Sequence, residues 1–108
     1  DHIGRLGPQD GEHSAGFVAM AQAVEQGRTW VKLSAAYRLH AQARAQARAL
    51  CARVGFEKMF WASDCPFVGC EAQVSYPQTV DWLVETIPDA AVRQRVFHDN
   101  ALAFYFAD

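Results

Sequence analysis

The stretch Phe60-Trp61-Ala62-Ser63-Asp64-Cys65-Pro66 runs as an apolar strand and then stops on a carboxylate. Such a residue faces water, a partner or a substrate, or it caps the turn that the following X-Pro begins. With a reference pKa near 3.9, Asp64 is ionised at neutral pH and suited to accepting a proton from water or binding a metal. Two further polar clusters stand at regular distances before it. His2, Ser34 and Asp64 fall 32 and then 30 residues apart.

Elements must place those clusters. In the segment Ser14–Gly27, Phe17, Met20, Ala21 and Val24 recur at helical spacing, and Gly27 can end the helix. Residues 29–35 alternate: Thr29, Val31 and Leu33 share one face, and Trp30, Lys32 and Ser34 the other, as in a strand. Ala43, Ala47, Leu50, Cys51 and Val54 form the stripe of a second helix, which Gly55 stops. Residues 58–63 read as a second strand. A third helix follows, with Ser75 as cap, Pro77 in its first turn, and Val80, Leu83, Val84 and Ile87 as its inner face. Two short helices, one over residues 90–97 and one from Asn100 onward, finish the chain.

Strands separated by helices imply parallel pairing through right-handed crossovers. Ser34 and Asp64 both fall where strands end. A (β/α)8 barrel uses about 30 residues per βα unit and sets its catalytic groups at the C-terminal ends of its strands. A doubly wound sheet shares that repeat and is the structural alternative. Two full strands complete neither fold, so the expectation is the C-terminal part of an α/β barrel, one domain over 1–108, opening at the tip of a strand. In such a piece the interior face carrying Phe60 and Ala62 would lose its neighbours.

Composition is that of an ordinary globular chain, with 51% hydrophobic and 20% charged residues. A net charge of −2 argues against nucleic-acid or anionic-membrane partners. No apolar stretch approaches the roughly 20 residues of a transmembrane helix. Cys51, Cys65 and Cys70 are an odd number without zinc-like spacing, which reads as free thiols in a reducing cytoplasm. A redox pair of Cys65 and Cys70 is the alternative.

The ordered motifs resemble a known family. Asp1-His2-Ile3-Gly4-Arg5, Trp30-Val31-Lys32-Leu33-Ser34 running to Arg38, and Ala62-Ser63-Asp64-Cys65-Pro66-Phe67 are similar to the C-terminal part of the amidohydrolase-related family. Val80-Asp81-Trp82-Leu83, Pro88-Asp89 and Asp99-Asn100 follow in that family's order. These are (β/α)8 hydrolases and decarboxylases, and the subgroup resembled is the 2-pyrone-4,6-dicarboxylate lactonases. The resemblance implies that Asp64 is the general base toward water, or a metal ligand in metal-dependent members. It implies that His2 lies near the substrate carbonyl or the metal, and that Arg5 and Arg38 hold substrate carboxylates. A guanidinium fork suits that task because it binds a carboxylate bidentately. Cys65 and Phe67 stand where the family usually has Trp and His.

The cofactor expected is none or one divalent metal, Zn or Mn. No His-x-His, His-x3-His or Cys-x2-Cys occurs in the chain. Expected partners are a small carboxylate-bearing substrate and either an N-terminal remainder or a second copy, with the 108 residues inactive alone. A metal-dependent decarboxylase or hydrolase, and an inactive interaction module, are the competing functions. His13, His40 and His98 read as surface or packing residues, and Trp30, Trp61 and Trp82 as core. Arg44, Arg48 and Arg53 read as a solvated helix face. Lys32 either lines the barrel interior or pairs with a carboxylate.

Overall fold

The computed structural model describes residues 1–106. Strands β1 (Val31–Ser34) and β2 (Met59–Ala62) lie parallel, with Val31 opposite Met59 and Ser34 opposite Ala62. Side chains alternate across the pair. Val31, Leu33 and Met59 enter the core that the helices cover, while Lys32, Ser34, Phe60 and Ala62 share the opposite face.

Helix α1 (Ala15–Glu25) starts where Ser14 Oγ accepts from the Phe17 N–H, and it buries Phe17, Ala21 and Val24. Helix α2 (Ala43–Val54) buries Ala43, Ala47, Leu50 and Cys51, and it stops at Gly55 in the left-handed region. Gln46 is buried as well, donating to the carbonyls of Gly7 (2.8 Å) and Asp10 (2.9 Å). The arginines of α2 lie on its solvent-facing side, as expected, and each also has a partner there. Arg44 pairs with Glu85 at 2.7 Å, Arg48 donates to the Glu85 and Thr86 carbonyls, and Arg53 pairs with Glu25. They tie α2 to its neighbours and satisfy carbonyls at the end of the next helix.

Helix α3 (Tyr76–Thr86) opens where Gln78 Oε1 accepts from the Ser75 N–H at 2.8 Å. Its buried stripe is Thr79, Leu83 and Thr86, continued by Ile87, whereas Val84 is 41% exposed. The inner face is therefore rotated from the one that valines suggest. Both threonine hydroxyls donate to carbonyls of their own helix, Tyr76 and Trp82, so they enter the core without unmet hydrogen bonds.

The C-terminal helices form one continuous run. Helix α4 (Ala90–Gln94) passes through a π-helical stretch (Arg95–Asp99) into α5 (Asn100–Phe106). Asn100 Nδ2 donates to the carbonyls of Phe56 (2.6 Å) and Met59 (2.7 Å), pinning α5 to the start of β2. Phe104 then stacks on Phe60 with centroids 5.0 Å apart and meets Trp30 at 5.2 Å. Phe60 is 4% exposed, so α5 covers the interior-face residue expected to lie bare. Lys32, on the same face, pairs with Asp1 at 2.8 Å. The tryptophans are half-buried: Trp61 and Trp82 pack against the core, as expected, whereas Trp30 meets Phe60 and Phe104 on the other face. Among the described residues no helix is long and apolar enough to cross a membrane.

Candidate functional site

Three chain segments converge where β1 and β2 end. After Ser34 the backbone turns through Ala35 at φ 56° into a short turn, Ala36–Arg38. After Ala62 it reaches Asp64 at φ 66°. The third segment is the turn His2–Arg5, left-handed at His2 (φ 53°), Ile3 (φ 56°), Gly4 (φ 69°) and Arg5 (φ 51°). Left-handed non-glycine residues cost about 1–3 kcal/mol each and gather at functional sites. Ile3, 1% exposed, anchors this turn to the core. Glycine suits the next position, whose φ of 69° strains other residues and where a Cβ would require Met20 to move.

His2 Nδ1 lies 2.9 Å from the buried Ser34 Oγ, and Nε2 lies 3.7 Å from Asp64 Oδ1. The other carboxylate oxygen is engaged. Asp64 Oδ2 accepts from Tyr37 Oη at 2.6 Å and from Arg38 Nε at 2.8 Å. One Arg38 terminal nitrogen donates to the Val68 carbonyl at 2.9 Å, and the other lies 3.9 Å from Cys70 Sγ. Tyr37 meets the ring of Phe67 edge-on, centroids 5.4 Å apart, and Arg38 sits over the Tyr37 ring.

Electrostatics sort the protonation states. Burial raises the Asp64 pKa, but the hydrogen bonds from Tyr37 and Arg38 and the charges of His2 and Arg38 outweigh it, so the carboxyl sits below its ordinary range. Burial lowers the His2 pKa more than Asp64 raises it, with Arg5 and Lys32 adding to the fall, so the imidazole is neutral at pH 7. Beside an ionised Asp64 the favoured tautomer carries its proton on Nε2, and Nδ1 accepts from Ser34 Oγ. Tyr37 is pushed up by burial and by Asp64, which keeps its hydroxyl a donor.

The structure brings His2, Arg38 and Asp64 together. Arg5 belongs to the same turn as His2 but is exposed and does not join that cluster; it lines a separate, smaller cavity with Asp10, Trp30 and Val31, at the start of β1 rather than at its end. Tyr37 is the site residue that the sequence did not single out. Its signal was weak but present: an aromatic hydroxyl immediately beyond a strand end, next to Arg38. His40 is structural, with Nδ1 accepting from the Gln42 N–H and Nε2 meeting the Leu6 carbonyl at 2.8 Å. A cavity of about 660 Å³ opens beside the site rather than at it. It lies between the Ala36–Arg38 turn and α3 and shares Ser34 and Tyr37 with the His2–Asp64 cluster.

A divalent metal centre takes three or four protein ligands. The described residues contain no group of three His, Cys, Asp or Glu that could hold an ion. His2 Nε2 and Asp64 Oδ1 are two donors, and the Arg38 guanidinium on the same carboxylate opposes a second cation. These residues by themselves do not fit a metal centre. What they can do is present a carboxylate oxygen and an imidazole N–H to one small volume.

The family model described as Amidohydrolase matches residues 1–107. Two solved structures are similar. A putative 2-pyrone-4,6-dicarboxylic acid hydrolase from Pseudomonas putida is 32% identical over the whole chain, with a TM-score of 0.85. A probable 2-pyrone-4,6-dicarboxylic acid hydrolase from Acinetobacter baumannii, solved with citric acid bound, is 19% identical over 94% of the chain, with a TM-score of 0.80. The chain spans 42% and 40% of the length of those two proteins. No curated protein matches it. On the family match, which takes in both the His2–Arg5 turn and Asp64, the chain belongs to the amidohydrolase family.

Proposed function

We propose that the chain is the C-terminal part of a (β/α)8 hydrolase and carries the carboxylate that activates water to open a carboxylate-bearing lactone. The observation that carries this reading is the facing of Asp64 Oδ1 and His2 Nε2 across 3.7 Å. That gap is too long for a hydrogen bond, yet groups lying beside it, off the line that joins the two atoms, can be met by each at about 2.8 Å. The similarity to a pyrone-dicarboxylate hydrolase at 32% identity supports the substrate class, and the near-30-residue spacing supports the barrel.

Asp64 takes a proton from water, and the resulting hydroxide oxygen bonds to the lactone carbonyl carbon. The Nε2–H of neutral His2 donates to the developing oxyanion. Collapse breaks the ring C–O bond, and the leaving oxygen takes the proton back from Asp64. One water is consumed, a ring-opened acid leaves, and both side chains return to their starting states. Arg5, exposed on the His2 turn, and the Arg38 terminal nitrogen that meets only Cys70 Sγ at 3.9 Å hold the substrate carboxylates. The rest of the barrel comes from an N-terminal remainder or a second copy, and the free thiols fit a reducing cytoplasm.

The test compares hydrolysis of 2-pyrone-4,6-dicarboxylate and uncharged 2-pyrone by the protein carrying this chain. The dicarboxylate is expected to be favoured by about 100-fold or more in kcat/KM, the scale of two charge-assisted contacts. Arg5→Ala should raise KM alone. Arg38→Ala should raise KM and also lower kcat, because it releases Asp64. Equal turnover of the uncharged lactone would contradict the reading.

A further inference from the structure

An aspartate side chain has two chemically equivalent oxygens and a soft, two-fold final torsion. Left to itself, Asp64 would exchange Oδ1 and Oδ2, and its reactive oxygen would be undefined. The donors around it are distributed unequally. Oδ2 receives both Tyr37 Oη at 2.6 Å and Arg38 Nε at 2.8 Å. Oδ1 faces only His2 Nε2, beyond hydrogen-bond reach at 3.7 Å.

We propose that Tyr37 is a positioning residue: with Arg38 it clamps Asp64 Oδ2, so that Oδ1 alone is presented to the reacting atoms beside His2. The proposal rests on the hydrolase reading above and deepens it. The Tyr37 ring is fixed on two sides, by the buried Phe67 edge-on and by the Arg38 guanidinium over its face. The hydroxyl is thereby aimed at one oxygen. Tyr37 and Arg38 are adjacent on the same short turn, which leaves β1 through the left-handed Ala35, and Asp64, which they meet, is itself left-handed.

The test uses the protein carrying this chain and 2-pyrone-4,6-dicarboxylate as probe. Tyr37→Phe keeps the ring and its Phe67 contact and removes only the hydroxyl. It is expected to lower kcat by about 10- to 100-fold, the scale of one hydrogen bond to a charged group, with KM within about twofold. Phe67→Leu, which loosens the ring and leaves the hydroxyl, should lower kcat by less in the same pattern. Thermal unfolding of each variant shows whether folding is retained. A folded Tyr37→Phe with wild-type kcat, alongside an Asp64→Asn that has lost activity, would overturn the positioning role and leave the hydrolase reading standing. Full activity in Asp64→Asn would overturn both.

Discussion

Each ionisable member of the His2–Asp64 pair is held where burial and its neighbours favour one state, and that state is linked to stability. Burial keeps His2 below its ordinary 6.5. Against burial, Tyr37 and Arg38 keep Asp64 below its ordinary 3.8. In both cases the folded protein binds fewer protons than the unfolded chain between the two pKa values, so stability rises with pH across each window. His2 contributes fully above 6.5 and loses its share as pH falls toward its folded value. Asp64 contributes fully above 3.8 and loses its share below that. Thermal unfolding of wild type and His2→Gln from about pH 8 to pH 4 checks this. The midpoint of the wild type should fall on acidification below neutrality, and the His2→Gln curve should be flatter in that range. A wild-type midpoint that climbs on acidification from pH 7 would mean that His2 gains rather than loses protons on folding.

The helices and strands show where sequence patterns suffice. Phe17, Ala21 and Val24 in α1, and Ala47, Leu50 and Cys51 in α2, were legible from helical spacing alone and are buried. Both strands were legible too, each shortened at its ends. The face of α3 was misread because hydropathy ranks valine above threonine, whereas Thr79 and Thr86 satisfy their hydroxyls within the helix. That the α2 arginines face solvent was legible, but their partners were not: Arg44 and Arg48 meet α3 about 40 residues away in sequence, and Arg53 meets Glu25 of α1. The Tyr37–Asp64 bond joins two loops 27 residues apart and leaves no periodic trace. The corrected face of α3 has a direct consequence. Leu83→Ala, at a site 0% exposed, should cost about 2–5 kcal/mol in urea unfolding, while Val84→Ser should stay within about 0.5 kcal/mol. Equal losses at the two positions would restore the valine face.

Among the described residues β1 and β2 pair only with each other, while α5 covers Phe60 and leaves Leu102, Tyr105 and Phe106 largely exposed. A parallel pair has two open edges, and a closed barrel removes them. The proposed enzyme therefore needs strands beyond these two, consistent with a chain that spans 42% of a similar hydrolase. The 108 residues alone should not turn over a lactone, and that measurement serves as the baseline for the decisive one. In the protein carrying this chain, Asp64→Asn keeps the side chain's shape and removes its capacity to take a proton from water. Steady-state hydrolysis of 2-pyrone-4,6-dicarboxylate by wild type and Asp64→Asn should differ by about 100-fold or more in kcat, the usual contribution of a positioned general base. Near-wild-type turnover by Asp64→Asn would contradict Asp64 as the group that activates water.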